Sequence, residues 1–128
     1  MTWLFLWLLI CPLCQAEPIQ VQVPKSCLIP MTQYWISEFS WDDLYARWMA
    51  LQDGQVVTVN GCRVISDRAA TPLEPAWVVP HEVLDQVEVW YLESRRDTIR
   101  QAVISLLKEG WGELEVNKQK TIVRATWQ

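Results

Sequence analysis

Residues Trp3 to Leu13, WLFLWLLICPL, form an apolar run without a single charge. At about eleven residues the run is short of the roughly 20 that a membrane-spanning helix needs. Cys14-Gln15-Ala16 follows, with small residues at the −3 and −1 positions of a signal-peptidase cut after Ala16, and the chain turns polar at once in Glu17-Pro18-Ile19-Gln20. Residues 1–16 therefore read as a secretory signal peptide. The n-region Met1-Thr2 lacks Lys and Arg, so an uncleaved anchor or a buried N-terminal strand stands as the alternative. A lipoprotein signal fits less well, because no small residue precedes Cys11 or Cys14. The expected location is secreted or periplasmic, with no integral membrane segment once the leader is gone.

That reading reorganises the four cysteines. Cys11-Pro12-Leu13-Cys14 has CxxC spacing but no βαβ surroundings, and both sulfurs leave with the leader. The remaining pair, Cys27 and Cys62, most simply forms one disulfide in an oxidising compartment; two buried free thiols are the alternative. Two Cys and one His fall short of the four N/S ligands of a structural zinc site. No metal and no cofactor are expected.

Past the leader the chain reads as strand, capped helix, hairpin, twice over. Ile19 to Val23 alternates apolar and polar and stops at Pro24, a strand. Lys25 to Phe39 reads as a loop. Ser40-Trp41-Asp42-Asp43 is a capping-box-like start, flanked by the staple pair Phe39 and Leu44. Trp41, Leu44, Tyr45, Trp48 and Leu51 then recur at helical spacing until Asp53-Gly54. Asn60-Gly61 between two valine-rich runs signals a type I′ hairpin that pairs Val59 with Cys62 and Val57 with Val64. Cys62 then shares a face with the valines, pointing inward toward Cys27.

Thr71-Pro72, Pro75 and Pro80 mark residues 71–85 as a Pro-rich extended connector between unit 17–70 and unit 86–128. Gln86 to Leu92, rich in β-branched and aromatic residues, reads as a strand. Ser94 to Asp97 repeats the cap, and Ile99, Ala102, Val103, Leu106 and Leu107 form a one-sided helix. Gly110 stops it, with Trp111 placed to fold back on Leu106. A second hairpin turns at Asn117 to Lys120 and pairs Leu114 with Val123 and Val116 with Thr121. The fold class is α+β, two tandem βαββ units in one small disulfide-stapled domain, whether by duplication or chance. One sheet or two is left open.

Chemistry is sparse. His81, the only histidine, reads as a loop residue without a spaced partner; a small hydrolase using it with a nearby carboxylate is the enzymatic alternative. Asp42 and Asp43 are explained by the helix dipole, and Glu113 with Glu115 by a solvated strand face. The four glycines all fall at turns and helix ends, leaving no phosphate loop. Asp and Glu outnumber Lys and Arg, 15 to 11, which argues against a nucleic-acid partner. Arg95, Arg96 and Arg100 gather at a helix start where the dipole disfavours them, a solvated end or a site for an acidic partner. Nine tryptophans are many for so short a chain. Of those beyond the leader, Trp41, Trp48 and Trp90 suit the core, whereas Trp35, Trp77 and Trp127 stand in loop or terminal contexts and are interface candidates. The last strand, TIVRATWQ, is a candidate edge for pairing with another chain.

Val89-Trp90-Tyr91-Leu92, the helix from Asp97 to Leu107 and Gly110-Trp111 before a hairpin resemble small periplasmic modules found with secretins. These are the short secretin N-terminal domain and the C-terminal region of toxin-coregulated pilus protein Q-like proteins. The resemblance covers about residues 86–126. It implies a module that binds neighbouring proteins and has no active site. The expected function is thus an exported protein–protein interaction module, an accessory of an envelope secretion, pilus or conjugation apparatus. A secreted inhibitor or immunity-type protein acting on a soluble enzyme is the second expectation.

Overall fold

The computed structural model describes residues 17–69, 74–93 and 96–128. Residues 1–16, expected as a leader, together with residues 70–73 of the expected first-unit end and connector, Ser94 and Arg95, lie outside the described residues. The fold is α+β. Strands β1 (Ile19–Val23), β2 (Val57–Val59), β3 (Cys62–Ser66), β4 (Trp77–Val79), β5 (Trp111–Val116) and β6 (Gln119–Trp127) form one sheet in the order β2-β3-β4-β1-β6-β5. The helices are α1 (Leu28–Gln33), α2 (Trp41–Gln52), α3 (His81–Leu84), α4 (Val87–Leu92) and α5 (Arg96–Glu109). A 3-10 turn, Lys25–Cys27, leads into α1, and a π-helical turn, Tyr34–Glu38, follows it.

The local signals hold in the first half. Ser40 Oγ accepts from the Asp43 amide at 3.5 Å and caps α2, while Gly54 ends it at φ 82°. Leu44 and Leu51 are buried and Trp48 packs against the core. Asn60 and Gly61 both take positive φ, and the hairpin pairs Val59 with Cys62 and Val57 with Val64. Cys27 and Cys62 are joined, with their Cα atoms 5.1 Å apart. In the second half Ile99, Ala102, Val103, Leu106 and Leu107 are all buried beneath the sheet.

Four expectations change. The stretch from Lys25 to Phe39, expected as a loop, is helical from Lys25 to Glu38, with Cys27, Met31, Tyr34 and Trp35 on its buried side. Trp77–Val79, inside the expected connector, is an interior strand between β3 and β1; Pro75 and Pro80 stand just outside it, where no ladder hydrogen bond is lost. Residues 87–92, expected as a strand, form α4. Burial follows the helical spacing: Val87 and Trp90 are inside while Val89 and Leu92 face out. A strand would have put Val87 and Val89 on one face, so packing overrides β propensity. Trp111 does not fold back on Leu106; it opens β5 and is half-exposed.

The second hairpin slips by two residues. Asn117 and Lys118, at φ 53° and 64°, make a two-residue turn, so Leu114 faces Thr121 and Val116 faces Gln119. A shift of two preserves the pleat, and Leu114, Val116, Thr121 and Val123 still share the buried face. The sheet is completed by non-local pairing: β1 lies parallel to β6, from Ile19 beside Val123 to Val23 beside Trp127, and antiparallel to β4. Both sequence units therefore contribute to one sheet, and β6 is interior instead of an edge.

Candidate functional site

The edges of the sheet are β2 and β5, and both are partly closed by side chains. On β2, Arg47 Nη1 donates to the Thr58 carbonyl at 2.7 Å. On β5, Ser105 Oγ donates to the Trp111 carbonyl at 2.6 Å and Trp90 Nε1 to the Glu115 carbonyl at 3.1 Å. These donors occupy carbonyls that an added strand would use.

Of the expected interface residues, Trp35 and Trp77 are core residues, 1% and 6% exposed. Trp35 stacks on Phe39 with centroids 5.1 Å apart, and Trp77 is carried inward by β4. Neither stands in a loop: Trp35 lies in the π-helical turn and Trp77 opens β4. Trp127, at the end of β6, remains partly exposed. Arg100 is a structural clamp: its Nε donates to the Trp35 carbonyl at 2.8 Å and its Nη2 to the Ile36 carbonyl at 2.6 Å. These carbonyls end a helical segment, so the guanidinium satisfies acceptors that would otherwise be orphaned. Arg95 and the Arg96 side chain lie outside the described residues.

The apolar surface lies instead on the helical segment Leu28 to Glu38. Met31, Tyr34 and Trp35 face the core, while Leu28, Ile29 and Ile36 are 36%, 78% and 41% exposed. Rows Leu28-Thr32-Ile36 and Ile29-Gln33-Ser37, each spaced by four, line a shallow groove. Three ties hold this segment. The Cys27–Cys62 disulfide fastens its start to β3. Asn60 Nδ2, in the hairpin turn, donates to the Pro30 carbonyl at 3.3 Å and to Glu38 Oε1 at 3.1 Å. Arg100 fastens its end. Beneath it, Tyr34 Oη donates to Asp43 Oδ2 at 2.7 Å, and Arg47 Nε bonds the same oxygen at 2.9 Å. Burial and the Asp43 carboxylate push the Tyr34 hydroxyl well above its ordinary pKa, so it stays a donor. Leu28, Ile29 and Ile36 escaped the sequence reading because a segment taken for a loop has no outer face to assign.

A second constellation gathers around His81, at the start of α3. Its Nδ1 lies 2.9 Å from Asp67 Oδ2 and 2.9 Å from Glu82 Oε1. The Asp67 contact has hydrogen-bond geometry. Glu82 Oε1 is sealed from solvent and accepts no hydrogen bond among the described residues, so its approach to Nδ1 is one of distance only. The hydrogen bond to Asp67, then the charges of Glu82 and Asp67, raise the His81 pKa above its ordinary value against the opposing effects of desolvation and Arg68. Asp67 was not legible as a partner, since its fourteen-residue separation from His81 matches no motif and β3–β4 pairing alone brings the two together. No described helix is long and apolar enough to cross a membrane. No family model, no curated protein and no solved structure matches the chain.

Proposed function

We propose that this chain is an exported protein-binding module, an accessory of an envelope assembly of the secretion or pilus type, and that it docks through the Leu28/Ile29/Ile36 face. The observation that carries the reading is an apolar helical face held outward by a disulfide, a clamp from Arg100 and a hairpin turn. Such a face gains nothing for the fold by being exposed, and its backbone is already ordered when a partner covers it. The leader and the resemblance of residues 86–126 to secretin-associated modules support the envelope setting. The partly capped edges argue for helix-face docking rather than strand addition.

Capture from envelope extracts tests this, with the wild type and an Ile29→Asp/Ile36→Asp variant as baits. The expected result is recovery of secretin or pilus components by the wild type and their loss with the variant, at unchanged thermal stability. Equal recovery by both baits would refute the docking face. Recovery of a single soluble enzyme in place of membrane components would replace the envelope role with that of an inhibitor.

A further inference from the structure

We infer that Asn60 is a site of self-modification: cyclisation onto the Gly61 amide converts it to aspartate or isoaspartate and frees the helical segment after Cys27 from the hairpin turn. The Gly61 backbone nitrogen attacks Asn60 Cγ, a five-membered succinimide closes, and the Cγ–Nδ2 bond breaks. The amide proton of Gly61 ends, through solvent, on the departing Nδ2, which leaves as ammonia. Water then opens the ring. Addition at Cγ leaves aspartate, and addition at the main-chain carbonyl leaves isoaspartate, whose backbone is longer by the side-chain carbon it now runs through. Local sequence and turn geometry favour this residue. Gly61 has no side chain to obstruct its nitrogen, and a Cβ built there meets nothing within 4 Å. Asn60 and Gly61 are both exposed, so water reaches them. The ladder closes between Val59 and Cys62, which leaves the Gly61 N–H outside it. Asn117, the chain's other asparagine, is a comparison built into the same molecule. It also opens a two-residue turn, at φ 53° against 50° for Asn60, but Lys118 follows it and its side chain crowds the equivalent attack.

What Asn60 holds gives the conversion its consequence. Its Nδ2 donates to the Pro30 carbonyl at 3.3 Å and to Glu38 Oε1 at 3.1 Å, while Gln33 Nε2 donates to Glu38 Oε2 at 2.8 Å. Those bonds to Pro30 and Glu38 oppose the attack, so cyclisation proceeds from local opening of the turn. Both are lost together when Nδ2 leaves. In its place a carboxylate faces the Glu38 carboxylate and a carbonyl, a group of acceptors that repel one another. Isoaspartate goes further, because its lengthened backbone does not fit the type I′ turn between Val59 and Cys62. The helical segment keeps the disulfide at its start and the Arg100 clamp at its end, and loses the hairpin turn. The chemistry needs no partner and is separate from the docking role.

The test is incubation of the purified, disulfide-bonded chain in mildly alkaline buffer, followed by peptide mass mapping and an isoaspartate-specific methyl-transfer assay. The peptide holding Asn60 should exchange NH2 for OH at least about tenfold faster than the peptide holding Asn117, a barrier difference of about 1.4 kcal/mol. Equal rates at the two sites, zero included, would overturn the site. So would an Asn60 peptide that stays intact in the folded chain while the urea-unfolded chain converts it. The structural consequence is read on Asn60→Asp. Its Tm should fall by about 4 °C or more, the scale of a net hydrogen bond in a domain of this size, and amide exchange across residues 28–38 should quicken. Adding Glu38→Gln, which sets a donor opposite the new carboxylate, should restore most of the loss. A wild-type Tm and exchange pattern in Asn60→Asp would refute the release of the segment. Conversion is read on the wild-type chain, so the site stays open to refutation even if a variant fails to fold.

Discussion

Breaking the Cys27–Cys62 bond, by Cys27→Ala/Cys62→Ala or by reduction, probes what holds the helical segment after Cys27 to the sheet. The bridge spans 35 residues of sequence. In the chain-entropy relation, closing a loop of that length lowers the unfolded state's entropy enough to stabilise the fold by about 4 kcal/mol. Globular domains have total stabilities of roughly 5–15 kcal/mol, so the effect is large. It corresponds to a fall in Tm of roughly 15 °C or more for a domain of this size. Urea unfolding with and without reductant, followed by Trp fluorescence, measures it. The denaturant slope should rise, because the uncrosslinked chain exposes more surface when unfolded. The double variant and the reduced wild type should agree, since both sulfurs are buried and alanine leaves only a small gap. A loss below about 1 kcal/mol with an unchanged slope would refute the entropic argument.

Gly112→Ala should destabilise by about 2–3 kcal/mol in urea unfolding, because its Cβ would collide with the Ala102 carbonyl oxygen and force α5 off β5. Lys118→Gly should stabilise by about 1 kcal/mol, measured the same way, since Lys118 holds φ 64° in a type I′ turn. His81 has a folded pKa raised above its unfolded value of about 6.5 by Asp67, with Glu82 adding to the shift and Arg68 opposing it. Its contribution to stability is therefore complete below the unfolded value and is lost as pH rises through the folded one. An NMR titration of the single histidine should give a midpoint above 6.5 in the wild type, and a lower midpoint in Asp67→Asn.

Features encoded within a few neighbouring residues were legible in advance. The Ser40 cap, the Asn60-Gly61 turn and the stripe from Ile99 to Leu107 each complete their hydrogen bonds or their apolar face locally, so residue type and spacing suffice. The cysteine pairing belongs with them, because the I′ hairpin decides which face Cys62 takes. The exposed Leu28/Ile29/Ile36 face was not legible, since it depends on Lys25 to Glu38 being helical. That segment is helical because Met31, Tyr34 and Trp35 find a core to enter. The Asp67–His81 approach was equally hidden, as it exists only through pairing of β3 with β4.

The chain by itself determined the α2 and α5 helices, the Asn60-Gly61 hairpin, the existence and buried face though not the register of the second hairpin, and the Cys27–Cys62 pairing, all from short-range stereochemistry and period. Tertiary structure alone decided that Val87–Leu92 coils, that Trp77–Val79 runs through the sheet interior, and that β1 lies between β4 and β6. Those outcomes depend on which surfaces remain to be covered once the local elements have met, and a linear pattern of residue types does not carry that information.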